Sequence, residues 1–232
     1  PDIHFGLAQS FASGDREVAI EHLKKTLELN PNHVAAMLMR VDYMIDSERY
    51  AAANETLQQA MKVNPWSPEA WAYQAVLEHL DNNPKGEALA REKGLRYWAA
   101  NPEVDHLIGK KLSGKYRFKE GAAYQRRALK SDPDHLQAKS QLATDLLRLG
   151  DDAAGWALAK EVNEEDGYDV NAFNLVALND TMSKFETISN DDFIVRMSPH
   201  EKSIYGDRVL DLLGRAKKIL CDKYGMELET PT

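Results

Sequence analysis

His200-Glu201-Lys202-Ser203-Ile204 comes nearest to a catalytic motif in this sequence. A zinc site of the helical type needs two imidazoles one turn apart on one face. Ile204 stands where the second imidazole must be, and a hydrocarbon cannot ligate a metal. Ser198, Pro199 and Glu201 fit a different pattern, in which a serine caps a helix, proline takes the first position and a glutamate follows in the first turn. The other histidines (His4, His22, His33, His79, His106 and His135) show no ligand-pair spacing and read as surface or loop residues. Neither a glycine-rich phosphate loop nor a Gly-x-Ser-x-Gly elbow is present. The single cysteine, Cys221, excludes an internal disulfide and a Cys-rich zinc site, and reads as an inert thiol beside an apolar helix face. No catalytic residue, metal or cofactor is therefore expected in these residues.

The elements around these residues follow from composition and repetition. The chain has 232 residues and a net charge of −8, with cations spread among acids. Nucleic acid and anionic membranes need a concentrated basic face, so neither is an expected partner. No apolar run approaches the ~20 residues of a membrane span. The chain begins with proline inside a helical pattern and reads as a soluble piece of a longer protein. One cysteine leaves the compartment open, and an exported bacterial parent is compatible with it.

One phrase recurs: Ala19-x3-Leu23-x2-Thr26-Leu27 closed by Asn30-Pro31, Ala53-x3-Leu57-x2-Ala60-Met61 closed by Asn64-Pro65, and Ala122-Ala123-Tyr124-Gln125 with Ala128-Leu129 closed by Asp132-Pro133. A weaker copy ends at Asn101-Pro102, and Asn101-Pro102-Glu103 also reads as cap, first position and acidic first turn of the next helix. The prolines at 31, 65, 102 and 133 give steps of 34, 37 and 31 residues. A helical period near 34 is the mark of a stacked helix–turn–helix array. The spacing predicts five helix pairs: 4–12 with 18–29, 34–46 with 50–63, 68–80 with 87–99, 102–112 with 118–129, and 135–149 with 152–162. A single helix near 169–178 would cap the array. A long turn at Asp81–Gly86 would account for the 37-residue step. Ile20 is expected on the apolar stripe of its helix. Trp71, Tyr73, Trp98 and Trp156 are expected in the core, and Trp66 on the surface.

After residue 181 the pattern changes. Residues 184–189 and 192–197 alternate polar and apolar around the turn signal Asn190-Asp191, which predicts a hairpin. A helix capped by Ser198 follows and ends at Tyr224-Gly225, glycine supplying the left-handed cap. A lone hairpin is marginal in water, so this helix must cover it or both must pack on the repeats. The expected division is 1–181 for the repeats and 182–232 for the hairpin and helix.

The paired small and large apolar positions, the Ala-Met and Ala-Leu steps before proline, the Gly14-Asp15 and Gly150-Asp151 breaks and Ile108-Gly109 together resemble the tetratricopeptide repeat family. Gly94 and Gln125 depart from it, standing where a large apolar residue is usual. The resemblance implies a mainly α fold, a right-handed α-solenoid of about five pairs plus a cap helix. It also implies a concave groove lined by the first helix of each pair, which places Leu38, Asp42, Ile45, Val76, His79, His106, Lys110, Thr144, Leu147 and Arg148 at the groove positions. That set mixes apolar residues with charges of both signs and lacks the Lys/Asn/Arg group that clamps a peptide carboxylate in chaperone-binding relatives. Asn171-Ala172-Phe173, Phe185-Glu186-Thr187-Ile188, Asp192-Phe193-Ile194-Val195-Arg196 and the helix ending Lys223-Tyr224-Gly225 resemble the segment leading into a peptidase-MA-like gluzincin domain. The next strand of such a domain would begin near Glu229–Thr232.

Two functions follow as expectations. One is a non-catalytic scaffold that binds a protein or peptide partner in its groove. The other is the substrate- or partner-recruiting arm of a larger zinc metallopeptidase, inactive as this segment. The unfinished C-terminal module could also self-associate through exposed apolar surface.

Overall fold

Twelve α-helices and one two-stranded hairpin make up the regular structure of residues 1–228, which the computed structural model describes. They are α1 (Asp2–Phe11), α2 (Arg16–Leu29), α3 (Val34–Asp46), α4 (Tyr50–Val63), α5 (Pro68–Leu80), α6 (Pro84–Gly94), α7 (Pro102–Ser113), α8 (Phe118–Ser131), α9 (Leu136–Arg148), α10 (Asp152–Glu165), α11 (Val170–Met182), β1 (Glu186–Ser189), β2 (Ile194–Met197) and α12 (Pro199–Tyr224). Packing divides the chain into two compact units, Pro1–Asp166 and Gly167–Thr232. The first is an α-solenoid of helix pairs. The helix expected to cap the repeats, α11, belongs to the second.

The repeat is stricter than its prolines suggest. Helices α3, α5, α7, α9 and α11 begin at Val34, Pro68, Pro102, Leu136 and Val170, 34 residues apart throughout. Their partners α2, α4, α6, α8 and α10 begin at Arg16, Tyr50, Pro84, Phe118 and Asp152, at the same interval. A helix start leaves backbone amides without acceptors. The side chains of His33, Ser67, Asn101, His135 and Asp169 each accept one. Glu48, Asn82, Tyr116 and Gly150, again 34 apart, take left-handed backbone angles in the turn within each pair.

The strict interval sorts the prolines, agrees with a helix that starts at 102, and changes the expected cause of the 37-residue step. Pro102 is the first residue of α7, in phase with Pro68, whereas Ala99 is the phase mate of Pro31, Pro65 and Pro133. The turn at 81–83 is no longer than that at 47–49, so it does not cause the 37-residue step. Helix α6 also stops at Gly94 rather than running to Ala99. Glycine is a poor helix former, and here it is buried where a Cβ would sit 3.3 Å from the Pro68 carbonyl oxygen and 3.3 Å from Val104. Trp98 therefore falls beyond the helix and is 58% exposed, not in the core.

The main core runs through α3 to α8, with Met37, Val41, Leu57, Tyr73, Ile108, Leu112 and Tyr124 at its centre. Ala53 and Ala60, fully buried, let α4 lie close to α3. Gln125, on the apolar side of α8, is fully buried and hydrogen-bonded, its Oε1 2.9 Å from His106 Nδ1 and its Nε2 donating to the His106 carbonyl at 3.2 Å. A buried polar side chain is tolerable only when so satisfied. Gly109 makes room for it: a Cβ there would lie 2.6 Å from Gln125 Nε2.

In the second unit, β1 and β2 pair antiparallel from Glu186↔Met197 to Ser189↔Ile194. The Asn190 side chain closes the turn by accepting from the Asp192 and Phe193 amides at 3.0 and 2.8 Å. Helix α12 covers this hairpin. Gly206 lets Ile188 approach, and Lys202–Glu186 and Lys217–Asp192 pairs, both 2.6 Å, pin the two together. Ser198 Oγ accepts from the Glu201 amide at 3.3 Å, and Gly225 ends the helix at φ 59°. The strand expected near Glu229–Thr232 lies outside the described residues.

Candidate functional site

The expected groove residues do not form one open surface. Leu38, Ile45 and Val76 are core residues with at most 1% exposure, packed with Ile108 and Leu112, and cannot touch a ligand. His106 is also buried, against Gln125, with the His135 ring 5.0 Å away. Its burial lowers its pKa, only partly opposed by the Gln125 hydrogen bond. His79 Nδ1 lies 3.0 Å from Glu87 Oε2, so it joins the two helices of its own pair. Thr144 donates to the Ser140 carbonyl at 3.2 Å. Leu147 packs over Gly155, where a Cβ would be 2.6 Å from Leu147 Cγ. Lys110 and Arg148 are exposed.

Asp42 shows why the inner face is shut over the middle repeats. It accepts from Tyr73 Oη at 2.9 Å and pairs with Lys111 Nζ at 2.5 Å. Lys111, itself largely buried, also reaches Asp46 at 2.8 Å. Lys115 Nζ donates to the Asp46 carbonyl at 3.0 Å. A lysine of α7 thereby straps α7 to α3, two repeats back. Sequence spacing carries no sign of this contact, because it joins residues with no local relation.

The open site lies elsewhere, between α2 and α3. It is a cleft of about 560 Å³ lined on α2 by Arg16, Ile20, Leu23, Lys24, Leu27 and Glu28. Arg40, Tyr43, Met44 and Ser47 line it from α3, and Arg49 from the turn before α4. Ile20, expected on the buried stripe, is instead 48% exposed on its wall. A smaller hollow of about 240 Å³ recurs one repeat later, where Gln74, Leu77, Glu78 and Asp81 stand in phase with Arg40, Tyr43, Met44 and Ser47. In the last repeats the same positions are filled. Ile108 and Leu142 are in phase with Arg40, and both are buried. Ala122 is in phase with Ile20 and fully buried, letting Leu142 and Leu146 pack against α8. The cleft exists because an arginine, whose charged head stays in water, stands where the later repeats carry an aliphatic side chain.

The rim of the cleft is basic. Arg16 is held by the Tyr43 carbonyl at 3.1 Å and by Asp46 at 3.7 Å, with its guanidinium over the Tyr43 ring. Lys24 lies 3.9 Å from Glu28, the one acid in the lining. Arg40 and Arg49 have no ion-pair partner among the described residues. The Tyr43 hydroxyl is buried and has no hydrogen-bond partner among the described residues. Elsewhere, no group of three His, Cys, Asp or Glu among the described residues could hold a metal ion, and no helix among them is long and apolar enough to cross a membrane.

Residues 10–77, which include the cleft, match the family model described as Tetratricopeptide repeat. A comparison with curated proteins found no match. Among solved structures the chain is similar to TTC0263, a thermophilic TPR protein in Thermus thermophilus. That likeness has 14% identity and a TM-score of 0.59, and covers 76% of this chain and 97% of that one. It is also similar to yeast Tom70, at 15% identity and a TM-score of 0.54, over 78% of this chain and 40% of that one. At these identities the likeness concerns the fold, which is the tetratricopeptide-type α-solenoid.

Proposed function

We propose that this tetratricopeptide-repeat array is a non-catalytic protein-interaction scaffold, and that a segment of its partner docks in the α2–α3 cleft. The cleft is the observation that carries the reading. Its volume falls in the range of ligand-holding concavities, roughly 300–1,000 Å³. Its floor is Leu23, Leu27 and Met44, and its walls are charged. Short protein segments bind in such grooves by burying a few apolar anchors and setting polar groups around them. Fold likeness alone assigns no function, so the reading rests on this site. The inner face of the middle repeats is a poorer candidate, since Lys111 closes it from α7 to α3.

A photo-crosslinking residue at position 20 tests the reading in extracts of the native organism. The expected outcome is one or a few discrete adducts, competed away by excess unmodified protein. The same group at exposed Glu92 on α6 should give none. Equal labelling at both positions, or none at either, would overturn the docking site.

A second reading is favoured by the β1–β2 hairpin and the capped α12 that covers it. These are the elements implied by the resemblance to the segment before a gluzincin domain. On that reading the cleft recruits substrates or partners for a zinc metallopeptidase. Metal analysis of the natural protein, carried past Thr232 wherever its gene continues, decides it. Stoichiometric zinc supports the arm, and a metal-free longer protein removes it.

A further inference from the structure

The α2–α3 cleft also indicates what its occupant is made of, an inference that rests on the scaffold reading. Four cations (Arg16, Lys24, Arg40 and Arg49) face one carboxylate, Glu28, around an apolar floor. This occurs in a chain of net charge −8, so the patch is a local inversion of the overall balance. Arg16 and Lys24 already have partners. Arg40 and Arg49, exposed and without ion pairs among the described residues, are the cations left for a ligand. The site thus offers spare donors and an apolar floor and asks for acceptors and hydrocarbon.

We propose that the cleft binds an acidic peptide segment carrying aliphatic anchor residues. Aliphatic side chains would cover Ile20, Leu27 and Met44, while carboxylates pair with Arg40 and Arg49, whose planar forks suit bidentate carboxylate binding. The cations stand on three elements, Lys24 on α2, Arg40 on α3 and Arg49 before α4. Charges distributed in this way match several acids spaced along a peptide better than one lipid headgroup.

The probes are synthetic twelve-residue peptides with fluorescent labels, titrated against the whole chain and followed by anisotropy. One alternates glutamate and leucine in an i, i+3, i+4 pattern. The second replaces leucine with serine, and the third replaces glutamate with lysine. The first should bind with a micromolar Kd, the second at least tenfold more weakly, and the third not detectably. Arg40→Glu with Arg49→Glu should weaken the first peptide at least tenfold, and raising salt to 0.5 M should weaken it in the native chain but little in the variant. Both side chains are exposed, so the variant should keep the native melting profile, and that profile is checked first. If the variant unfolds, Arg40→Gln with Arg49→Gln replaces it. Binding that ignores the charge reversal, or no binding by folded protein, overturns the proposal. Vesicles of anionic phospholipid that bind through the same arginines more tightly than the peptide would also overturn it, in favour of a lipid surface. So would a dimer seen by light scattering and abolished by the variant, in favour of a second copy of this chain. Crosslinking at position 20 to a partner that lacks acidic segments would preserve the scaffold reading while ending this one.

Discussion

The α2–α3 and α8–α9 interfaces occupy the same place in the repeat and differ in outcome. At α8–α9, Ala122 lets the helices approach, and Leu142 and Leu146 fill the space between them. At α2–α3 the equivalent residues are Ile20, Arg40 and Met44, and a cleft of about 560 Å³ remains. Both interfaces obey the 34-residue phase, share the side-chain-capped helix start and keep the left-handed turn residue. The backbone grammar therefore does not decide whether neighbouring pairs seal. Two side chains differ between the joints: Ile20 stands where α8 has Ala122, and Arg40, exposed, stands where α9 has buried Leu142. A repeat protein can open a cleft at one joint without altering its fold.

The largest expected effect lies at α6–α7, a joint in the same place of the repeat between these two. Arg91 of α6 pairs with buried Asp105 of α7 through two hydrogen bonds of 2.5 and 2.7 Å. Arg91→Ala leaves that carboxylate buried and unpaired and should cost about 3–5 kcal/mol in chemical denaturation. A loss below about 1 kcal/mol would mean that this pair does not hold the joint. Ala122→Ile installs the residue of the open joint at the closed one and should cost about 1–3 kcal/mol by overpacking. The reverse exchange, Ile20→Ala with Arg40→Leu, should close the cleft and raise stability by about 0.5–2 kcal/mol. It should also abolish binding of the acidic peptide. An unchanged melting temperature would show that the two side chains do not account for the opening.

The smallest effect is a pH dependence. Burial depresses the folded-state pKa of His106, so the native chain holds its neutral form. That stability is present above the unfolded histidine value, near ~6.5, and is lost as pH falls through the lower folded value. Melting temperature should fall between pH 7 and pH 5 in the native chain, and less steeply in His106→Gln. His135 and Glu103 lie beside this ring and are present in both proteins, so the difference between the two profiles is what counts. The open cleft holds no such group, and Arg40→Ala should stay within about 0.5 kcal/mol of the native chain at either pH.

Helix spacing made the pairs and the hairpin legible, because amphipathic periods and cap residues act locally. The phase was harder to read. Pro102 was counted with the closing prolines at 31, 65 and 133 and also read as the first residue of the next helix; only the second reading fits the interval, which the capping side chains at 33, 67, 101, 135 and 169 mark. The groove was misplaced for a physical reason. Positions carried over from an open superhelix fell on Leu38, Ile45 and Val76, which are buried in the main core here, and the Lys111–Asp42 contact between α7 and α3 has no local signature. Arg40 was readable in principle. A charged residue in phase with Ile108 and Leu142 marks a joint that cannot fill, but only once the strict interval is known.

Lys111 has a consequence for how the array comes apart. In an ideal solenoid each repeat touches only its neighbours, so unfolding proceeds unit by unit from the ends. The Lys111 pairs with Asp42 and Asp46, with Lys115 bonded to the Asp46 carbonyl, span 65 to 69 residues and skip an intervening repeat. They add a next-nearest-neighbour coupling to an otherwise one-dimensional chain. Pairs α3–α4, α5–α6 and α7–α8 should therefore exchange their amide hydrogens as one cooperative block, while α1–α2, which forms half of the cleft, frays independently and more often.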